Sequence, residues 1–290
     1  MFQSIPFKHD EELMREIELR GLSLNTFKNY RSHLRRMSEH FSKDISDVSP
    51  GEAKHYLAHL KTGLGRQAQT INVCRAAFIF FRQCVLGDNL ASWAVPKHKL
   101  VHKLPDILPS EDILRIFETL PLRHRAVLSL CYGSGLRISE ALALEVDDID
   151  SKAMKVFVRS GKGGKPRYSI LSSYSLSCLR EYWKAYRPAG PCISPQNCSP
   201  CLPKPPNHVQ TAFSAAYREA FPNSSKRITA HTLRHCFATH LLDDGTDLRT
   251  IQILLGHKSI RSTSIYLQLT DCHFSKLVSP ADRESRDSLA

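Results

Sequence analysis

Apolar residues recur at helical spacing through the first third of the chain. Between Ser23 and Phe41 the positions Leu24, Phe27, Tyr30, Leu34, Met37 and Phe41 fall on one side, and Lys28, Arg31, Arg35 and His40 on the other. Such a stripe predicts an amphipathic helix, with Ser23 as its N-cap. A second segment, Gln69 to Arg82, sets Ile71, Phe78 and Phe81 against Arg75 and Arg82. This first block reads as about four helices. The pattern breaks between Trp93 and Pro109, where Pro96, Pro105 and Pro109 punctuate a basic stretch. Proline and the residue before it both resist helix, so an extended linker is expected there.

Beyond Pro109 the periodicity alternates between helix and strand. Ser110, followed by Glu111 and Asp112, announces a helix start as a serine cap with an acidic first turn. An apolar helix from Arg125 to Tyr132 runs into Gly133-Ser134-Gly135, a turn that presents Arg137 from the start of the next helix, with Glu140 three residues on to pair with it. Two β-branched and aromatic runs, Lys155–Ser160 and Arg167–Leu171, flank Gly161-Lys162-Gly163-Gly164-Lys165, predicting a hairpin with a lysine-bearing tip. Further on, His231 and Arg234 share a face of a helix ending at Asp243-Asp244-Gly245. Asp247 caps the next helix, and Gly256 ends it in a left-handed turn from which His257 emerges. Tyr266 lies nine residues later in a short helical pattern, while His235 and His240 read as structural.

These elements predict a mainly α protein with a small β-sheet, an α+β arrangement of two domains. The expected division is residues 1–95 for a helical domain, 96–109 for a linker, 110–278 for a second domain and 279–290 for a polar tail.

A net charge of +12 and a pI near 9.3 add a polyanionic partner to this picture. No run approaches the roughly 18 apolar residues of a membrane span, and the charged N-terminus lacks a signal-peptide core, so a cytoplasmic location is expected. Nine cysteines, an odd number, fit reduced thiols rather than a disulfide framework. Cys74, Cys84, Cys131 and Cys236 read as small core residues. The stretch holding Cys192, Cys198 and Cys201, followed by His208, contains zinc-ligand types, but only the Cys198–Cys201 spacing suits a metal knuckle. A proline-rich loop with incidental thiols is the favoured reading, and neither metal nor cofactor is expected.

Four strings stand in fixed order: Gly135-Leu-Arg137-Ile-Ser-Glu-Ala-Leu-Ala-Leu144, then His231-Thr-Leu-Arg234-His-Cys-Phe-Ala-Thr-His240, then Leu255-Gly256-His257, then Thr263-Ser-Ile-Tyr266. Together they resemble the tyrosine recombinase, or phage integrase, family. The resemblance implies an N-terminal helical core-binding (SAM-like) domain, a catalytic domain, and Arg137, Lys162, His231, Arg234, His257 and Tyr266 as catalytic residues. It also makes Lys165 and Arg167 backbone contacts on DNA, joined by Lys28, Arg31, Arg35, Arg75 and Arg82 from the first block.

The implied chemistry is metal-free and ATP-free transesterification. Arg137 and Arg234 would clamp the phosphate with bidentate forks, Tyr266 would attack as His231 accepts its proton, and His257 would donate a hydrogen bond. Lys162 would protonate the leaving 5′ oxygen, leaving a 3′-phosphotyrosyl link. Double-stranded DNA with an inverted-repeat core site is the implied partner, bound by a homotetramer on two sites, with a related recombinase or accessory protein as a further partner. The stretch from Asp271 to Val278 would supply a small helix docking on a neighbour. The lack of an arm-type domain before residue 10 suggests an Xer-like or transposon-borne recombinase, and the cysteine loop departs from the family pattern. Competing readings are a type IB topoisomerase, a catalytically decayed DNA-binding regulator and, more weakly, a metal-dependent nuclease using Asp147, Asp148 and Asp150.

Overall fold

The computed structural model describes residues 7–88, 96–100, 104–159, 166–187 and 206–269. Within it the chain divides into two units, Met1–His102 and Lys103–Ala290.

In the first unit the apolar stripes become the inner faces of four helices, α1 (Asp10–Leu19), α2 (Leu24–Phe41), α3 (Pro50–Thr62) and α4 (Ala68–Phe80), the last running on through a π-helical turn, Phe81–Val85. The Ser23 hydroxyl accepts the Thr26 N–H as the expected cap of α2. Ser49 and Glu52 form a reciprocal capping box on α3, whose first residue is Pro50. Leu13, Ile17, Leu34, Met37, Ile71, Phe78 and Phe81 fill the core. The start of the α2 stripe departs from expectation: Leu24 is exposed, and the buried part begins at Leu34.

The second unit opens with α5 (Ser110–Thr119). Ser110 is its first helical residue rather than its cap; Pro109 occupies the cap position and no side chain closes the end. Next comes α6 (Leu122–Gly133), buried throughout its mainly apolar run Ala126–Cys131, and α7 (Ile138–Leu142). Strands β1 (Ile149–Asp150), β2 (Lys155–Val158) and β3 (Arg167–Ile170) form an antiparallel sheet in that order, with Val158 opposite Arg167 and Lys155 opposite Ile170. The remaining helices are α8 (Ser173–Tyr186), α9 (Pro206–Ala220), α10 (Ala230–Asp243) and α11 (Leu248–Leu255), followed by 3-10 turns at Ile260–Ser262 and Ser264–Gln268.

Helix α10 organises this unit. It packs on α6 along one side and on the 3-10 turn carrying Tyr266 along another, and Leu233, Cys236, Phe237 and Leu242 are buried along it. Each such apolar side chain contributes roughly 1.5–3 kcal/mol on burial, so α10 is held on several sides. Cys74, Cys131, Cys178 and Cys236 are buried free thiols, while Cys84 is only half-buried. No helix among the described residues is long and apolar enough to cross a membrane.

Candidate active site

The site begins at a turn that only glycine can make. Gly135 takes φ +62° just after α6, and a Cβ there would lie 2.5 Å from the Phe237 ring. The turn delivers Arg137 to the start of α7, where its backbone N–H and Nη1 donate to Glu140 at 2.9 and 2.6 Å. Arg167, from β3, donates to both Glu140 oxygens at 3.1 and 2.8 Å. Arg234, from α10, brings Nη1 to 3.8 Å from the same carboxylate. Burial alone would push the Glu140 carboxyl up, but hydrogen bonds from Arg167 and the Arg137 backbone outweigh it and hold it at about 2. Three guanidiniums thus converge on one buried carboxylate, an excess of two positive charges.

Helix α11 uses two of these arginines to close its C-terminal end. Its last carbonyls lack intrahelical donors; Leu254 O accepts Arg167 Nε at 2.9 Å and Leu255 O accepts Arg234 Nη2 at 2.5 Å. Arg234 Nη1 also donates to Gly135 O at 2.5 Å, while its Nε is buried without a partner among the described residues. Only 1% of Arg234 is exposed. Burial and the neighbouring Arg137 lower its guanidinium to about 10, still charged at neutral pH. Gly256 then takes φ +65°, with Arg167 Cδ 2.8 Å from where its Cβ would stand, so the chain turns sharply and His257 leaves the corner. His257 Nδ1 pairs with the buried Thr263 hydroxyl at 3.0 Å. Burial, with Arg234 and Arg137 adding to it, lowers the His257 ring to about 4, so it is neutral at pH 7.

Tyr266 is 1% exposed, packed with Phe237, Leu242, Ile251 and Leu255. Burial pushes its hydroxyl up to about 12, against the pull of Arg234 and Arg137. Among the described residues its hydrogen-bond partner is His235 Nδ1, at 3.0 Å. The His231 and His235 rings meet edge to face with centroids 4.5 Å apart, His231 exposed and His235 half-buried. Burial lowers His235 to about 4, helped by His231, Arg234 and His257.

The structure brings together Arg137, His231, Arg234, His257 and Tyr266. Lys162 and Lys165 lie outside the described residues, as do Cys192, Cys198, Cys201 and the stretch Asp271–Val278. Arg167 sits deeper than its place beside the hairpin tip suggests: its side chain is 7% exposed and bound to Glu140 and Leu254 O. Arg31 pairs with Asp10 at 2.6 Å, and Arg82 with Asp88 and Ser46 O. Arg35 pairs with Glu39 on its own helix, Arg75 is half-buried and Lys28 is exposed.

Two of the three nuclease carboxylates are engaged locally, and Asp147 is exposed. Asp148 is buried against Arg159, and Asp150 accepts the backbone N–H groups of Lys152 and Ala153. His208 faces His124, Nδ1 to Nε2 3.2 Å, and no group of three or more metal-ligand residues occurs among the described residues. His240 bonds the Tyr132 hydroxyl at 2.9 Å, a packing role.

Sequence reasoning missed His235 and Thr263. For His235 a signal existed: residues 231, 234 and 235 stand at i, i+3 and i+4, one face of a helix.

Comparison with known proteins gives the same answer over nearly the whole chain. The profile of the Phage integrase family matches residues 107–273, and that of the phage integrase N-terminal SAM-like domain matches residues 11–92. The tyrosine recombinase XerD of Corynebacterium glutamicum is 33% identical over 287 residues, covering 87% of this chain and 90% of that protein. Two solved structures share the fold. XerH site-specific recombinase bound to palindromic difH substrate, in a post-cleavage complex, matches with a TM-score of 0.68 at 20% identity, over 95% of this chain and 85% of that one. The Tn1549 transposon integrase in complex with transposon right end DNA matches with a TM-score of 0.62 at 19% identity, over 96% and 97%. With both profiles in chain order and a relative of one-third identity spanning most of its length, this chain belongs to the phage integrase family of tyrosine recombinases, enzymes of site-specific DNA strand exchange.

Proposed function

We propose that this chain breaks and rejoins double-stranded DNA at a specific site through a 3′-phosphotyrosyl link to Tyr266, without metal or ATP. The observation that carries the reading is the excess of two positive charges among Arg137, Arg167, Arg234 and Glu140, set beside a buried tyrosine. Such a cluster is built for an anion, and a phosphodiester gains negative charge on its non-bridging oxygens when attacked.

Arg137, the more exposed guanidinium, meets the phosphate directly. Arg234 supplies a fixed positive charge behind it, kept in place by Gly135 O and Leu255 O. Neutral His257, whose Nδ1 is engaged by Thr263, presents Nε2–H to a phosphate oxygen. The exposed His231 stands at the mouth of the site. Tyr266 Oη forms a bond to phosphorus as the bond to the 5′ oxygen breaks, and Lys162 protonates that oxygen. A 5′ hydroxyl from a partner strand then attacks the phosphotyrosine, so exchange proceeds with no net hydrolysis.

The partner is double-stranded DNA with an inverted-repeat core, bound by four copies on two sites, in the cytoplasm where the DNA lies. Lys28, Arg35 and Arg75 touch its backbone. The family assignment and the basic charge of the chain support this reading. Incubating the protein in EDTA with nicked duplexes drawn from the DNA flanking its gene tests it. A protein-linked strand on a denaturing gel is expected. Its absence on DNA that the protein binds favours a decayed regulator, and relaxation without exchange favours a topoisomerase.

A further inference from the structure

The tyrosine proton needs a destination, and the geometry of α10 offers two imidazoles one turn apart. His231 sits outermost, exposed at the first turn of the helix. His235 lies deeper, half-buried, with its ring edge to face with His231 and its centroid 5.6 Å from that of Tyr266. The hydrogen bond of the phenol runs to the deeper ring, His235 Nδ1 to Tyr266 Oη at 3.0 Å.

We propose that His235 is the catalytic residue that accepts the Tyr266 hydroxyl proton, an assignment that rests on the proposed tyrosine chemistry. A buried phenol must spend its one proton on an acceptor, and His235 is its partner among the described residues. If Nδ1 accepts, the ring carries its own proton on Nε2, and the tautomer is fixed. The oxygen lone pairs are then left free of that bond, and Arg234 and Arg137 favour the negative charge that develops on the oxygen. His231, Arg234 and His257 face His235 and disfavour its charged form before DNA binds. The arriving phosphate adds negative charge to the same pocket and offsets them, so proton acceptance is coupled to substrate.

The step balances. The Oη–H bond breaks and its proton moves to His235 Nδ1, the Oη–P bond forms, and the P–O5′ bond breaks with the 5′ oxygen taking a proton from Lys162. In the rejoining step the incoming 5′ hydroxyl returns its proton to Lys162, and the departing phenolate takes its own back from His235.

The test compares wild type, His235→Gln, His231→Gln and Tyr266→Phe for single-turnover adduct formation on a nicked duplex, from pH 6 to pH 9, with DNA affinity measured alongside. Glutamine keeps a hydrogen-bonding group at position 235 without basicity. For His235→Gln we expect affinity within about two-fold of wild type and an adduct rate lower by about 100-fold at pH 7, the lower end for a lost general base. Its rate should then rise about ten-fold per pH unit, whereas the wild-type rate stays flat. A His235→Gln rate within about three-fold of wild type with a flat profile overturns the proposal, as does a sloping profile found in His231→Gln alone.

Tyr266→Phe separates the two levels: a wild-type adduct lost in Tyr266→Phe upholds the tyrosine chemistry whatever His235→Gln does, and no wild-type adduct on bound DNA overturns both. Should His235→Gln fail to fold, nitrogen-15 NMR of histidine-labelled wild type decides instead. The Nε2–H tautomer at His235, shifting in Tyr266→Phe, supports the assignment, and the Nδ1–H tautomer overturns it.

Discussion

Replacing Glu140 by glutamine removes the one negative charge at the centre of the arginine cluster while keeping its shape. The carboxyl sits at about 2 instead of its ordinary 4.5. Each pH unit of such a difference corresponds to about 1.36 kcal/mol, so ionised Glu140 contributes roughly 3 kcal/mol to stability at pH 7. The side chain is only 3% exposed, so solvent screens this little, and the value falls within the roughly 3–5 kcal/mol seen when one member of a buried pair is removed.

The sign follows from a lowered pKa. The contribution is complete above the unfolded value near 4.5 and disappears as pH falls towards 2. Denaturant unfolding of wild type and Glu140→Gln should therefore show a gap of about 3 kcal/mol at pH 7, narrowing between pH 4.5 and 3. In heat that gap is about 6–12 °C for a unit of this size. A gap below about 1 kcal/mol at pH 7 would refute the idea that Glu140 neutralises the cluster, and so would a gap that does not narrow with acid.

Other perturbations probe different parts of the same structure. Gly135→Ala forces a Cβ into the Phe237 ring at a positive φ and should cost about 2 kcal/mol or more, read by thermal melting; a neutral effect would mean the turn is not as described. Arg167→Leu should lower stability yet leave the salt dependence of DNA binding unchanged, whereas loss of a phosphate contact would reduce the log–log slope by about 0.9. His124, His235 and His257 are each lowered to about 4, chiefly by burial. The unfolded chain takes up protons that these sites refuse, so unfolding free energy should fall as pH drops from 6.5 towards 4, and a flat profile there would contradict their burial.

Much of the fold was legible because its signals are local. The Ser23 and Asp247 caps, the Gly256 terminator and the β-hairpin each follow from a few adjacent residues. The grouping of Arg137, His231, Arg234, His257 and Tyr266 was legible through the resemblance of their short strings to the tyrosine recombinase family, since taken singly Arg137 reads as a partner of Glu140 and Tyr266 as a core ring. What stayed hidden depends on tertiary placement. On β3 the side chains alternate so that Arg167 and Ser169 turn inward while Tyr168 and Ile170 stay 61% and 41% exposed. Polarity alone would assign the opposite faces, and only the buried Glu140 and the open end of α11 make the inward arginine favourable. Ser110 misled by one residue, since Pro109 has the extended dihedral angles of a helix entry and takes the cap position, leaving Ser110 inside the first turn. His235 was set aside as packing although its spacing put it on the reactive face, because nothing in the sequence says which imidazole a distant tyrosine will meet.

The nucleophile is tested most directly by mapping the covalent bond. Adduct trapped on a nicked duplex, digested with trypsin and nuclease, should yield residues 262–276 carrying a nucleotide. That peptide holds Tyr266 as its sole tyrosine beside Ser262, Thr263, Ser264, Thr270 and Ser275. Fragmentation placing the nucleotide on Tyr266 is the predicted result. A nucleotide on any other residue, or an adduct that survives in Tyr266→Phe, would contradict it.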